Sequence, residues 1–174
     1  VADMMQSAFQ CKIYAINTSG KTDRKVDWIG TLHDVNFLLK ESDFLVITIP
    51  LTKETENLIG AKELAFMKNT AILINVARGQ IVNEKALFEK LKTTPTFKAG
   101  IDCWWIEPFF VHEFKMEYPF LELPNVLGSP HNSAMVEGML LRSSELGCEN
   151  VQKYLEGREV ERLLNLSNHQ TFYF

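Results

Sequence analysis

The chain has 174 residues, 46% hydrophobic and 23% charged, a composition that excludes a disordered or fibrous chain and suits a globular domain with a sizeable core. Eighteen basic and 22 acidic residues leave a formal net charge of −4, so neither nucleic acid nor an anionic membrane is expected as a partner. No apolar run reaches the roughly 18 residues that cross a bilayer, and Cys11, Cys103 and Cys148 lack metal-ligand spacing, so no metal site, reduced thiols and a cytoplasmic location are expected.

Val1, Met4, Met5 and Ala8 fall on one face of a helix entered in mid-course, with no strand or capping residue before it. Lys12–Ile16 then reads as a strand and Leu32–Glu41 as a helix. Phe44–Ile49 is a strand, Ala61–Met67 a short helix and Ala71–Val76 a further strand. Asn83–Lys92 is a helix whose first residue is suited to cap it. Lys98–Cys103 and Asn125–Leu127 complete the expected strands. Runs that are apolar on both faces belong in a parallel sheet covered by helices on each side, and their alternation with helices predicts a doubly wound α/β sheet.

Trp104–Leu123 is rich in aromatic residues, among them Trp104, Trp105, Phe109, Phe110, Phe114, Tyr118 and Phe120. It is expected to be an irregular connection packed against the sheet. Ala134–Glu156 returns to a helix, with Gly157 where a terminating glycine belongs, and Arg158–Phe174 is a tail. Residues 1–133 are therefore read as a ligand-binding domain lacking its first strand and glycine-rich turn. Residues 134–174 form a helix and tail that pack elsewhere.

Ligands of open parallel sheets bind beyond the carboxyl ends of the strands. Those ends deliver Asn17, Thr18, Ser19, Gly20 and Lys21; Pro50, Leu51 and Thr52; Asn75, Val76, Ala77, Arg78 and Gly79; Asp102; and Ser129, Pro130 and His131. Singly, each has a bland alternative: Arg78 as a solvated charge, His131 as a surface histidine, Asp102 as a turn cap, Glu107 as a loop carboxylate. On one edge they complement each other. Arg78 offers a fork of donors that matches a carboxylate, His131 can give or take a proton near neutrality, and Glu107 can orient its imidazole.

Four segments carry a family resemblance. SDFLVITIPLTKETENLIG leads into a helix and MKNTAILINVARG, continued in AILINVARGQIVNEKAL; AGIDCWWIEP and LPNVLGSPHNSA follow in order. Together they resemble the D-isomer-specific 2-hydroxyacid dehydrogenases, over roughly residues 1 to 157. The resemblance implies a Rossmann-like, NAD(P)-binding fold that transfers a hydride to or from a small 2-oxo or 2-hydroxy acid such as glyoxylate, hydroxypyruvate or a phosphoglycerate-type substrate. By position, Arg78 clamps the substrate carboxylate, His131 is the acid/base and Glu107 its partner. Asp102 lies near the nicotinamide, and Ile49, Pro50, Thr55, Val76 and Ala77 line the cofactor channel.

Two departures matter. The phosphate-binding glycine loop and the family's other domain are missing from the chain as it stands. Asn17 occupies the position where NAD-preferring members carry an acid, with Thr18, Ser19 and Lys21 beside it and Arg24 and Lys25 behind, which leans toward NADP over NAD. Homodimerisation is the family habit. Non-catalytic relatives that sense NAD(H) and bind a protein partner share fold and triad, while formate-oxidising members replace the Glu with Gln, so Glu107 favours a hydroxyacid.

Overall fold

Ile72–Asn75 is an inner strand of the fold, with a parallel strand at each edge to satisfy its backbone groups. A computed structural model describes residues 1–108 and 112–160. Its strands are β1 (Tyr14–Ile16), β2 (Trp28–Gly30), β3 (Phe44–Ile47), β4 (Ile72–Asn75), β5 (Lys98–Ile101) and β6 (Val126–Gly128). The α-helices lying wholly within the described residues are α1 (Ala2–Phe9), α2 (Val35–Glu41), α3 (Ala61–Phe66), α4 (Glu84–Thr93) and α5 (Met139–Leu155).

β3, β4, β5 and β6 lie side by side in that order, all parallel. Helices and longer connections cross between them, as parallel neighbours require. Leu38 and Leu39 of α2, Leu64 of α3, and Leu87, Phe88 and Leu91 of α4 turn inward. They meet Leu45, Leu73, Ala99 and Ile101 of the sheet in one core. Burying a leucine fully contributes about 1.5–3 kcal/mol, so this layer carries most of the stabilisation. Asn83 caps α4 as expected: its Oδ1 accepts the Ala86 N–H at 3.0 Å.

Three expectations need correction. β2 is an additional strand; it pairs in parallel with β1, Tyr14 opposite Trp28 and Ile16 opposite Gly30. A three-residue strand gives no measurable periodicity, and its tether is a side chain: Asp27 Oδ2 accepts the Ile13 N–H at 2.7 Å. The sheet is also in two pieces, since among the described residues β1–β2 and β3–β6 form separate ladders. Finally, the last helix begins at Met139 rather than Ala134, because Gly138 sits in the left-handed region at φ 76°.

The end of α5 is as expected. Gly157 has φ 70°, its N–H donates to Tyr154 O at 3.1 Å, and the Arg158 N–H donates to Lys153 O at 2.9 Å. That pair of bonds is a Schellman motif. No side chain of α5 is buried. Phe109 and Phe110, and the tail beyond residue 160, lie outside the described residues. Trp104, Trp105 and Phe120 of the irregular segment pack as expected, Trp105 stacking on Phe120 at 5.1 Å and Phe120 meeting Phe88 edge-on at 5.4 Å, while Phe114 is exposed.

Candidate active site

The four strands of the larger sheet end in one row, with Ile47 opposite Asn75, Asn75 opposite Ile101 and Ile101 opposite Gly128. The segments that follow them leave the sheet at a common edge, which brings Arg78, Asp102, Glu107 and His131 into one neighbourhood.

Arg78 is set by a turn that begins inside the strand. Asn75 is only 2% exposed. Its Oδ1 accepts the Ala77 N–H at 3.0 Å and its Nδ2 donates to Arg78 O at 2.8 Å. Gly79 follows because there is no room for a side chain: a Cβ there would stand 2.5 Å from the Trp104 carbonyl carbon and 2.7 Å from Trp105 N. The Arg78 turn is thereby pressed onto the segment leaving β5. Arg78 is exposed, and its guanidinium donates from Nη1 to Ala77 O at 2.7 Å. Asn75 stands among the strand-end residues of the sequence, but its part in building the turn has no signal there beyond an amide ending an apolar strand.

Glu107 and His131 form the central pair. Nδ1 of His131 lies 2.9 Å from both carboxylate oxygens of Glu107, whose side chain is 3% exposed while the imidazole is 25% exposed. A buried carboxylate needs bonded partners, and Glu107 has a second one: Oε1 accepts the Trp104 main-chain N–H at 2.9 Å. With Nδ1 turned to Glu107, Nε2 is the ring nitrogen remote from the carboxylate.

Asp102 is buried and holds the loop that carries His131. Its Oδ1 accepts the Ser129 hydroxyl at 2.6 Å and the Asn132 N–H at 3.1 Å, and its Oδ2 accepts the Ser133 N–H at 3.1 Å. Burial opposes the charge on Asp102. Bonds from Ser129, Ser133 and the Asn132 main chain outweigh it and hold the carboxyl below its ordinary range. His131 itself has φ 53°, a conformation that few non-glycine residues adopt. Beside these groups lies Cys103, fully buried. Burial first, and then the charges of Glu107 and Asp102, push its thiol up to about 12, against the opposing Arg78 charge.

The remaining expected residues divide. Ile49 is half-buried, while Pro50 and Val76 are exposed, an apolar strip at the ends of β3 and β4; Ala77 is buried. Thr55 is buried too, and its hydroxyl is used within its own loop, donating to Pro50 O at 2.8 Å and accepting the Thr52 N–H at 2.7 Å. At the end of β1, Asn17 builds its turn: Oδ1 accepts the N–H of Ser19 at 3.1 Å and of Gly20 at 2.7 Å, and Nδ2 donates to Lys21 O at 2.8 Å. Thr18, Ser19 and Lys21 are exposed on that turn.

Residues 1–133 match the family model described as the D-isomer specific 2-hydroxyacid dehydrogenase, NAD binding domain. The chain belongs to this family. As an NAD-binding domain of this family it is 40% identical over 157 residues to a glyoxylate reductase of Thermococcus gammatolerans, covering 90% of the chain and 45% of that protein. It is 36% identical over 140 residues to a D-3-phosphoglycerate dehydrogenase of Methanocaldococcus jannaschii, covering 80% of the chain and 26% of the relative. Among solved structures, the D-lactate dehydrogenase of Lactobacillus jensenii with NAD+ superposes with a TM-score of 0.74 at 28% identity, over 93% of the chain and 51% of that enzyme. The chain thus spans about half the length of these proteins or less. The doubly wound sheet expected from the strand pattern, and the Rossmann-like fold implied by the resemblance, are the fold of this NAD-binding domain.

Proposed function

We propose that the whole protein is an oxidoreductase that moves a hydride between NAD(P)H and a small 2-oxo or 2-hydroxy acid of the glyoxylate, hydroxypyruvate or phosphoglycerate type. The observation that carries this reading is the His131–Glu107 pair at 2.9 Å beside Arg78 on one sheet edge. The named relatives, a glyoxylate reductase and a phosphoglycerate dehydrogenase, support the substrate class.

Arg78 binds the substrate carboxylate through its planar fork of donors. Glu107 keeps Nδ1 of His131 directed toward itself, so Nε2 faces the reacting oxygen. Nε2 donates a proton to the carbonyl oxygen in reduction and removes it from the hydroxyl in oxidation. A charged imidazole formed in oxidation is balanced by the Glu107 carboxylate. Asp102 holds the His131 loop while this proton moves.

The strand edge fits the expected cofactor: exposed Pro50 and Val76 with half-buried Ile49 give a flat ring an apolar seat at the edge that carries His131. When bound, the nicotinamide supplies or accepts the hydride. NADP is favoured over NAD, because Asn17 puts no carboxylate where a 2′-phosphate would lie and Lys21, Arg24 and Lys25 supply nearby cations. A cytoplasmic homodimer with reduced thiols belongs to the same reading. No described helix is long and apolar enough to cross a membrane.

The test is NAD(P)H oxidation by the whole protein with glyoxylate and hydroxypyruvate, followed by nicotinamide absorbance. Turnover with either acid supports the reading. Tight cofactor binding with no turnover of any 2-oxo acid refutes it.

A further inference from the structure

We infer that Trp104 is a positioning residue that fixes both halves of the proton-transfer pair relative to each other through two separate N–H groups. Its main-chain N–H donates to Glu107 Oε1 at 2.9 Å, and its indole N–H donates to Ser129 O at 2.9 Å, two residues before His131. One residue therefore bonds the carboxylate and the loop that brings the imidazole to it. The inference rests on the proposed role of His131 and extends it.

The indole cannot easily move. Trp104 is 4% exposed and meets Phe114 edge-on at 5.7 Å and Phe120 at 6.4 Å. Its six-membered ring lies over Gly128, where a Cβ would come within 2.8 Å of it. Gly79 presses on its backbone from the other side, with its virtual Cβ 2.6 Å from Trp104 O. The residue is clamped between the Arg78 turn and the end of β6, which makes its indole N–H a fixed donor.

The indole bond falls close to a residue in a strained conformation. His131 sits at φ 53°, and a non-glycine residue persists there only when its surroundings over-determine it. Asp102 restrains the loop at Ser129 before His131, through the hydroxyl, and at Asn132 and Ser133 after it. Trp104 adds the bond to the Ser129 main-chain carbonyl, so that Ser129 is held at its N–H by Ile101 O, at its hydroxyl by Asp102 and at its carbonyl by the indole. The left-handed residue is thus held from both sides. A phenyl ring keeps the aromatic contacts in a smaller volume; only the indole adds the donor.

Trp104→Phe separates these roles, because it keeps a ring and deletes the N–H. Phe114→Leu is the control: it loosens packing on the same ring and touches neither bond. In the whole protein, Trp104→Phe is expected to lower kcat for 2-oxo acid reduction about tenfold, as for one lost hydrogen bond felt in the transition state, with KM for the cofactor unchanged. In 15N-histidine spectra it weakens the Nδ1–H form of His131 that Glu107 selects. Phe114→Leu leaves both readouts as in the parent, even where it lowers the melting temperature.

Parent-like kcat and spectra in Trp104→Phe would overturn the inference, as would equal losses in Phe114→Leu. If the parent protein reduces no 2-oxo acid, the proposed activity fails by itself. The histidine spectra still decide the positioning role.

Discussion

Both carboxylate oxygens of Glu107 stand 2.9 Å from Nδ1 of His131, and the carboxylate is nearly fully buried while the imidazole keeps a quarter of its surface in solvent. This asymmetry divides the roles of the two partners. In the proposed function the buried acid orients the ring, and the partly open ring serves the substrate. Glu107→Gln keeps the size and an acceptor for the Trp104 N–H but loses the charge. Losing a charge-assisted bond costs about 1.5–3 kcal/mol, so kcat should fall about 10–100-fold. Steady-state kinetics of the variant checks this, with circular dichroism to confirm that it folds.

Asp102 gives a pH dependence whose sign is fixed. Its carboxyl is held below the ordinary range in the folded chain, so it contributes stability above the unfolded value of about 3.9. That contribution is lost as pH falls through the folded value. Stability from this group is therefore flat through neutral pH and declines only in strong acid. Asp102→Asn should destabilise by about 1–3 kcal/mol at pH 7, since a donor amide then faces N–H and hydroxyl donors. Urea unfolding at pH 7 and at acid pH should show the gap between variant and parent shrinking as the pH drops.

The three thiols should differ in reactivity. Cys148 is exposed, Cys11 half-buried and Cys103 buried, and the Cys103 thiol is pushed up to about 12. The thiolate is the reactive form. Native chain treated with iodoacetamide at mildly alkaline pH should therefore label Cys148 first and leave Cys103 unmodified until denaturant is added, as read by peptide mass spectrometry.

Much of this is legible in the sequence, and the misses have physical causes. β3, β4 and β5 announce themselves as apolar runs, because strands covered on both faces need no polar alternation. β2 does not, since Trp28–Gly30 is held by its partner strand and by the Asp27 carboxylate. Arg78, Glu107 and His131 follow from residue chemistry at strand ends. The turn-building bonds of Asn75, the two N–H bonds of Trp104 and the loop-holding bonds of Asp102 do not, because they act through contacts across 25 to 31 residues or through a turn formed only after the strand is in place.

Gly79 links the Arg78 turn to the segment leaving β5. A methyl at this position meets the Trp104 carbonyl at 2.5 Å, and backbone cannot yield as a flexible side chain does. Gly79→Ala should cost about 1–3 kcal/mol, measured by chemical denaturation. In the whole protein it should also raise KM for the 2-oxo acid, because the Arg78 turn is displaced.

Whether His131 moves the proton is decided by the turnover of His131→Ala in the whole protein, with glyoxylate and hydroxypyruvate as substrates and cofactor binding measured alongside. A positioned acid/base contributes about 10²–10⁴-fold, so kcat should fall by that factor while cofactor affinity is retained. Undiminished reduction by His131→Ala would contradict the proposed acid/base role.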